Sequence, residues 1–144
     1  MDWKNKVLNP KGWLMAFGII FIFLGTWNYL TAETAAETAY PDDSTDRDVF
    51  YEQTFGLLSM ALAVMALTTA LVVTGRPLSI LSMTSSGVMI VMMSLHYMAG
   101  EAVDYGYNDP AVLGVVLALI ATMGVSGFLH LNDEEAEEAP AAEA

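Results

Sequence analysis

The chain has 144 residues, of which 55% are hydrophobic, and carries a net charge of −12 from 17 acidic and 5 basic side chains. This charge argues against nucleic-acid binding, because nucleic-acid partners require lysine and arginine to neutralise phosphate. An acidic surface is typical of a prokaryote from a saline habitat, or of a protein that uses charge for solubility. Cysteine is absent, which excludes disulfides, thiolate metal sites and thiol nucleophiles.

The hydrophobic residues are concentrated in four segments that contain no Asp, Glu, Lys or Arg, at residues 12–30, 54–75, 77–100 and 111–131. About 20 apolar residues in a helix span a hydrocarbon core of about 30 Å, so each segment is long enough to cross a bilayer. We therefore predict an all-α integral membrane protein, an antiparallel bundle of four transmembrane helices with both termini cytoplasmic. The predicted helices are about 12–30, 51–75, 77–100 and 110–131, in a single domain of residues 1–131. Residues 132–144 are acidic and alanine-rich and predict a disordered tail.

The basic residues predict the orientation. Lys4, Lys6 and Lys11 precede the first segment and Arg76 lies between the second and third, whereas Arg47 alone lies on the other side. The positive-inside rule then places both termini in the cytoplasm of a multi-pass protein of the cell membrane. The first segment is longer than the apolar region of a signal peptide and no strict A-x-A follows it, so we predict an uncleaved helix.

Several short motifs predict the ends of helices. Gly75 and Pro77 fit a turn between the second and third helices, which predicts a tight antiparallel hairpin there. Thr45 and Asp48 resemble a capping box ahead of the second helix. Asp109 followed by proline fits the start of the fourth.

The alanine-rich repeat of residues 31–39 has helical propensity and is predicted to extend the first helix. Tyr40, which precedes a proline, is predicted to end it, because the residue before proline disfavours the helical conformation.

Small residues predict where helices pack, because association in lipid depends on close approach of backbones. Gly18 and Gly25 share a face of the first helix, which is otherwise bulky. We predict that helices two, three and four pack tightly and that helix one is more exposed to lipid. The predicted packing residues are Ser59, Ala63, Ala66, Ala70, Ser79, Ser82, Ser86, Gly114, Ala118 and Ala121.

Polar residues gather at the predicted outer ends of the helices, where they would line an outward-facing polar pocket for a cation or a small polar ligand. An ordinary interfacial hydrogen-bond cluster is the alternative interpretation. The candidate pocket residues are Asn28, Glu52, Gln53, His96, Tyr97 and Glu101.

Two metal hypotheses involve His96 of helix three. Met92 and His96 lie four residues apart on one helical face and offer soft ligands for Cu(I), although two ligands do not make a defined site. His96 and His130 are predicted at opposite sides of the membrane, so one chain cannot bring both to one haem iron, although a partner could share a haem. We expect no cofactor.

The spans contain no ionisable residue at the bilayer centre, which argues against a proton-coupled pump or a voltage sensor. No nucleophile–base pair is evident, so we expect no enzymatic activity. The leading hypothesis is an accessory or structural subunit of a membrane complex, or a homo-oligomer, whose partners are the lipid bilayer and other membrane subunits or copies of itself. The alternatives are a small transporter or channel that uses the outer pocket, and a metal- or haem-associated redox subunit.

Overall fold

The computed structural model describes residues 7–133, and this part of the chain contains five α-helices and no strand. In chain order they are α1 (Pro10–Leu30), α2 (Ala32–Ala39), α3 (Asp46–Val72), α4 (Gly75–Glu101) and α5 (Pro110–Leu129). All except α2 are long and apolar enough to span a membrane. The all-helical class and the four apolar helices are thereby confirmed. Lys4, Lys6 and the predicted tail from residue 134 onward lie outside the described residues.

Side-chain caps define two of the helix starts, as predicted. The Oδ1 atom of Asp109 accepts a hydrogen bond of 2.7 Å from the backbone N–H of Ala111, and Pro110 is the first residue of α5. The carboxylate of Asp48 accepts a hydrogen bond of 2.9 Å from the backbone N–H of Thr45, which is one half of a capping box. Each cap satisfies N–H groups that have no partner within the helix.

The alanine-rich repeat forms the separate helix α2 rather than an extension of α1. Thr31 leaves the helical conformation, with φ −113° and ψ 27°, and thereby divides the two helices. As predicted, the helix ends at Tyr40. Its alanines Ala32, Ala35, Ala36 and Ala39 are buried, and α2 packs beside α3.

The most extensive helix contact joins α1 to α3, which run antiparallel. At their crossing, a Cβ atom added to Gly25 would lie 2.7 Å from the carbonyl oxygen of Gly56, and one added to Gly56 would lie 2.7 Å from the carbonyl oxygen of Gly25. A Cβ atom on Gly18 would likewise lie 2.6 Å from the side chain of Leu67. The two backbones therefore meet directly, and only glycine fits at the crossing.

The second extensive contact joins α4 to α5, also antiparallel, and it uses hydroxyl groups. Ser82 Oγ donates to the carbonyl oxygen of Met123 at 3.0 Å, and Ser86 Oγ donates to that of Ile120 at 2.7 Å. A Cβ atom on Gly127 would lie 2.6 Å from the carbonyl oxygen of Ser79. Small residues and interhelical hydrogen bonds together hold this pair, as expected for association in an apolar medium.

Two predictions are wrong: that the second and third long helices form a tight hairpin, and that helices two, three and four pack tightly while helix one stays outside that packing. The local turn is as expected, since Gly75 has φ 62° and Pro77 lies in the first turn of α4. However, α3 and α4 hardly touch among the described residues. The reason is that the small residues of α3 face α1 and those of α4 face α5, so each helix pairs with a different neighbour.

The two pairs meet mainly through α1, which also contacts α4 and α5. Near the end that carries Lys11 and Arg76, an apolar cluster draws on all four long helices. Its buried members are Leu14, Ala70, Leu78 and Met123. The arrangement is compatible with a membrane helical bundle.

The predicted packing residues fall into two groups. Those on α3 and α4 are all buried except Ala66, which is half-buried: Ser59, Ala63, Ala66, Ala70, Ser79, Ser82 and Ser86. Those on α5, Gly114, Ala118 and Ala121, are exposed. A Cβ atom on Gly114 would meet nothing within 4 Å, whereas Gly124 and Gly127, which were not predicted, contact α4.

Candidate functional site

A cleft of about 260 Å³ opens where α1 and α4 end and α3 and α5 begin. All four long helices contribute to its wall, and so does the connection between α4 and α5, residues 102–109. Among the predicted pocket residues, Asn28, Glu52, His96 and Tyr97 line this cleft. The structure therefore brings these four side chains, from three helices, to one place.

Two predicted pocket residues lie elsewhere. Gln53 is half-buried and does not line the cleft. Glu101 lines a smaller neighbouring depression, where its Oε1 atom accepts a hydrogen bond of 2.9 Å from Asn108 Nδ2. The same Asn108 amide also donates to the carbonyl oxygen of Tyr97 at 3.0 Å, which fastens the connection to the end of α4.

Glu52 is the central polar group of the cleft. Its side chain is only 8% exposed. Asn28 Nδ2 donates to Glu52 Oε2 at 2.9 Å, and the Tyr105 hydroxyl donates to Glu52 Oε1 at 3.1 Å. Both oxygens of its carboxyl group therefore act as hydrogen-bond acceptors. The carboxylate thus links α1, α3 and the α4–α5 connection.

Tyr105 is the main cleft residue that the sequence did not reveal. The backbone holds it in place: the N–H of Tyr105 donates to the carbonyl oxygen of Gly100 at 3.0 Å, and the N–H of Gly106 donates to that of Ala39 at 3.0 Å. Gly106 is required, because a Cβ atom at this position would collide with the carbonyl oxygen of Thr38. The connection is therefore pressed against α2, and Tyr105 reaches Glu52 from there.

Burial, and then the charge of Glu52 beside it, raises the pKa of the Tyr105 phenol well above its ordinary value near 10. The phenol therefore keeps its proton throughout the physiological range and remains a hydrogen-bond donor to Glu52. The interactions that raise the pKa of Tyr105 stabilise the folded state at every pH below the ordinary pKa of tyrosine. This stabilisation is lost as pH rises above that value, because the unfolded chain then releases its proton first.

Aromatic rings form much of the wall around Tyr105. The ring of His96 lies edge-on to it with centroids 5.8 Å apart, and the ring of Tyr107 is tilted against it at 5.7 Å. Tyr40 packs against Tyr105 at 5.7 Å. Phe55 of α3 and Tyr97 of α4 also line the cleft. Because these rings are tilted or edge-on to Tyr105, they form an angled wall and do not stack face to face.

The candidate copper ligands Met92 and His96 lie four residues apart on α4. Met92 is 60% exposed and does not line the cleft, whereas the neighbouring Met93 does. His130 lies at the opposite end of α5 from the cleft, and its Nδ1 atom is 2.6 Å from Asp133 Oδ2. Within residues 7–133, no three side chains of His, Asp or Glu are grouped to hold a metal ion.

The cleft end of the molecule is strongly acidic. Residues 31–53 and 101–110 together carry ten Asp and Glu side chains against the single basic residue Arg47. Asp109, which caps α5, also lines the cleft, and no lysine or arginine of the described part of the chain does so. Fields of one sign over a concave surface raise the local concentration of ions of the opposite charge. The charged side chains at this end of the molecule are therefore almost all negative.

Comparison with known proteins adds no further constraint, since no protein-family model, no curated protein and no solved structure matches the chain.

Proposed function

We propose that the chain is a polytopic protein of the cell membrane whose four long helices span the bilayer. The support is the surface of these helices, since only 22% of the most apolar window in each is buried. Large apolar side chains such as Phe23, Leu62, Leu95 and Val115 are more than half exposed. Contiguous apolar surface on this scale is unfavourable in water and favourable in lipid.

The proposed orientation has both termini in the cytoplasm and the cleft on the outer side. Lys11 and Arg76 lie at the end opposite the cleft, which agrees with the positive-inside rule. A cysteine-free chain allows a direct test with single cysteines. In intact cells, we expect a membrane-impermeant maleimide to label Ser44→Cys, in the exposed α2–α3 connection, and to label Thr74→Cys only after permeabilisation. The opposite labelling pattern would contradict this orientation.

Within the membrane, we propose that the protein acts as a non-catalytic accessory or structural subunit, or as a homo-oligomer. The observation that carries this proposal is the outer face of α5. Gly114, Ala118 and Ala121 are all exposed there, while the glycines Gly124 and Gly127 occupy the interface with α4. Small residues gain little from contact with lipid, but they allow another helix to approach closely. One face of α5 is used within the chain, and the other is available to a partner.

Leucine at Gly114 is expected to weaken this association roughly tenfold, a change of about 1.4 kcal/mol, because it separates the helix backbones. The matched control is Gly87→Leu on α4, where an added Cβ atom also meets nothing within 4 Å but the residues four positions away, Met83 and Val91, are large. Light scattering after purification in mild detergent gives the mass of the complex, and mass spectrometry identifies any partner. A monomeric wild-type protein, or equal behaviour of the two variants, would contradict the proposal.

A further inference from the structure

We propose that the cleft binds a small organic cation of the trimethylammonium type. This inference goes beyond the assembly proposal and does not depend on it, because the cleft and the outer face of α5 involve different residues. It rests on three features of the cleft: its aromatic walls, its carboxylates and its size.

The aromatic walls provide the first argument. Tyr105 and Tyr107 lie at an interplanar angle of 59°, and Phe55 and Tyr97 line the same cavity. The faces of aromatic rings carry negative charge density, and cages of such rings bind quaternary ammonium groups. Rings from the α4–α5 connection, α3 and α4 line one cleft here, which places several aromatic side chains around a single ligand position.

The carboxylates provide the second argument. Glu52 and Asp109 line the cleft, and the described part of the chain places no lysine or arginine in its wall. Glu52 is held in place by Asn28 and Tyr105, so its carboxyl group is positioned beside the cavity before any ligand arrives. The surrounding acidic end supplies a longer-range attraction for positive ions.

The nature of the wall favours an organic cation over a metal ion. Metal ions such as Ca²⁺ and Mg²⁺ require several oxygen ligands, and the described residues offer no group of three metal-binding side chains. Much of the wall is instead apolar, with Met93, Val112, Leu113 and Val116 beside the rings. Methyl groups on nitrogen match such a wall, whereas a hydrated metal ion does not.

The size of the cleft limits the ligand. Its volume of about 260 Å³ is slightly below the range of roughly 300–1,000 Å³ that is usual for drug-sized ligands. It suits a headgroup-sized molecule. Because the cleft lies at the ends of membrane-spanning helices, a trimethylammonium group has two possible sources there, a choline lipid of the bilayer or a free quaternary amine from outside.

The test measures binding of radiolabelled choline to the full-length protein in nanodiscs made of phosphatidylglycerol. We expect saturable binding, and we expect the neutral isostere 3,3-dimethylbutan-1-ol to compete at least tenfold less well, because it has the same shape without the charge. No saturable choline binding, or equal competition by the isostere, would overturn the proposal.

Nanodiscs of phosphatidylcholine distinguish the two sources. If the lipid headgroup occupies the cleft, choline affinity falls in these nanodiscs relative to phosphatidylglycerol. If the ligand is a free amine, the affinity is the same in both. Either result supports a trimethylammonium site and assigns its source.

Variants connect the binding to the cleft. Tyr107, which is 48% exposed, is replaced by leucine to remove a ring and by phenylalanine to keep it. We expect Tyr107→Leu to weaken choline binding roughly tenfold and Tyr107→Phe to retain it, since the aromatic face is what attracts the cation. Tyr51→Leu is the control, because Tyr51 is exposed nearby but does not line the cleft. Equal binding by Tyr107→Leu and Tyr51→Leu would overturn the assignment.

A second pair of variants tests the charge. Asp109→Asn removes a carboxylate from the cleft but preserves the cap of α5, because asparagine caps helices as well as aspartate does. We expect it to weaken choline binding several-fold. The control Asp104→Asn removes a charge from the same connection outside the cleft, at a residue with φ 57° that asparagine accommodates. Equal effects of the two substitutions would exclude a specific role for Asp109.

Discussion

Replacing Glu52 with alanine is expected to lower the free energy of unfolding by about 2–4 kcal/mol. The substitution removes both carboxylate oxygens and leaves the half-buried hydroxyl of Tyr105 without its acceptor. Asn28 keeps only its second hydrogen bond, of 2.9 Å, to the main-chain carbonyl oxygen of residue 52. Titration with sodium dodecyl sulfate, followed by circular dichroism, measures the loss.

The effect should be large because this carboxylate connects parts of the fold that otherwise touch little. α3 packs against α1 and α2 but hardly against α4 or α5 among the described residues. The bond from Tyr105 to Glu52 therefore supplies a link between the two helix pairs at the cleft end. Tyr105→Phe, which removes only the donor, should cost about 1 kcal/mol.

The control is the exposed Glu37 on α2, where alanine should change the stability by less than about 0.5 kcal/mol. Equal losses for Glu52→Ala and Glu37→Ala would show that the hydrogen bonds of Glu52 do not hold the helix pairs together.

Alanine at Gly25 is expected to destabilise the protein by about 1–3 kcal/mol, because its Cβ atom overpacks the crossing of α1 and α3. That atom would lie 2.7 Å from the carbonyl oxygen of Gly56 and 3.0 Å from Cγ of Met60. The nearest obstacle is backbone, which cannot turn aside as a flexible side chain can. Gly56→Ala should behave in the same way, because its Cβ atom would meet the backbone of Gly25 and of Tyr29.

Gly87→Ala is the matched control, because the added Cβ atom meets nothing within 4 Å. Alanine is favoured over glycine within a helix by up to about 1 kcal/mol, so this variant should be slightly more stable than wild type. Opposite signs for Gly25→Ala and Gly87→Ala in the same unfolding measurement would identify the close backbone contact as the cause. A stabilising effect at Gly25 would mean that α1 and α3 do not cross there.

The sequence by itself determined the parts of this protein that depend on near neighbours in the chain. The uncharged apolar segments predict the four long helices, because length and composition decide whether a helix can span a bilayer. Asp109 and Thr45 begin helices and Tyr40 ends one, because a cap or a following proline acts within one helical turn. The polar residues Asn28, Glu52 and His96 could be placed at one depth for the same reason.

Only the tertiary structure decided which helices pair and which side chains meet. In a soluble protein, an apolar stripe marks the buried face of a helix, but a membrane helix is apolar on all sides. Small residues are then the remaining signal, and they do not show which partner they meet. Gly25 therefore could not be matched to Gly56, and the outward position of Gly114 could not be foreseen. Tyr105 reaches Glu52 through a connection held against α2 at Gly106, and no pattern local to either segment encodes that contact.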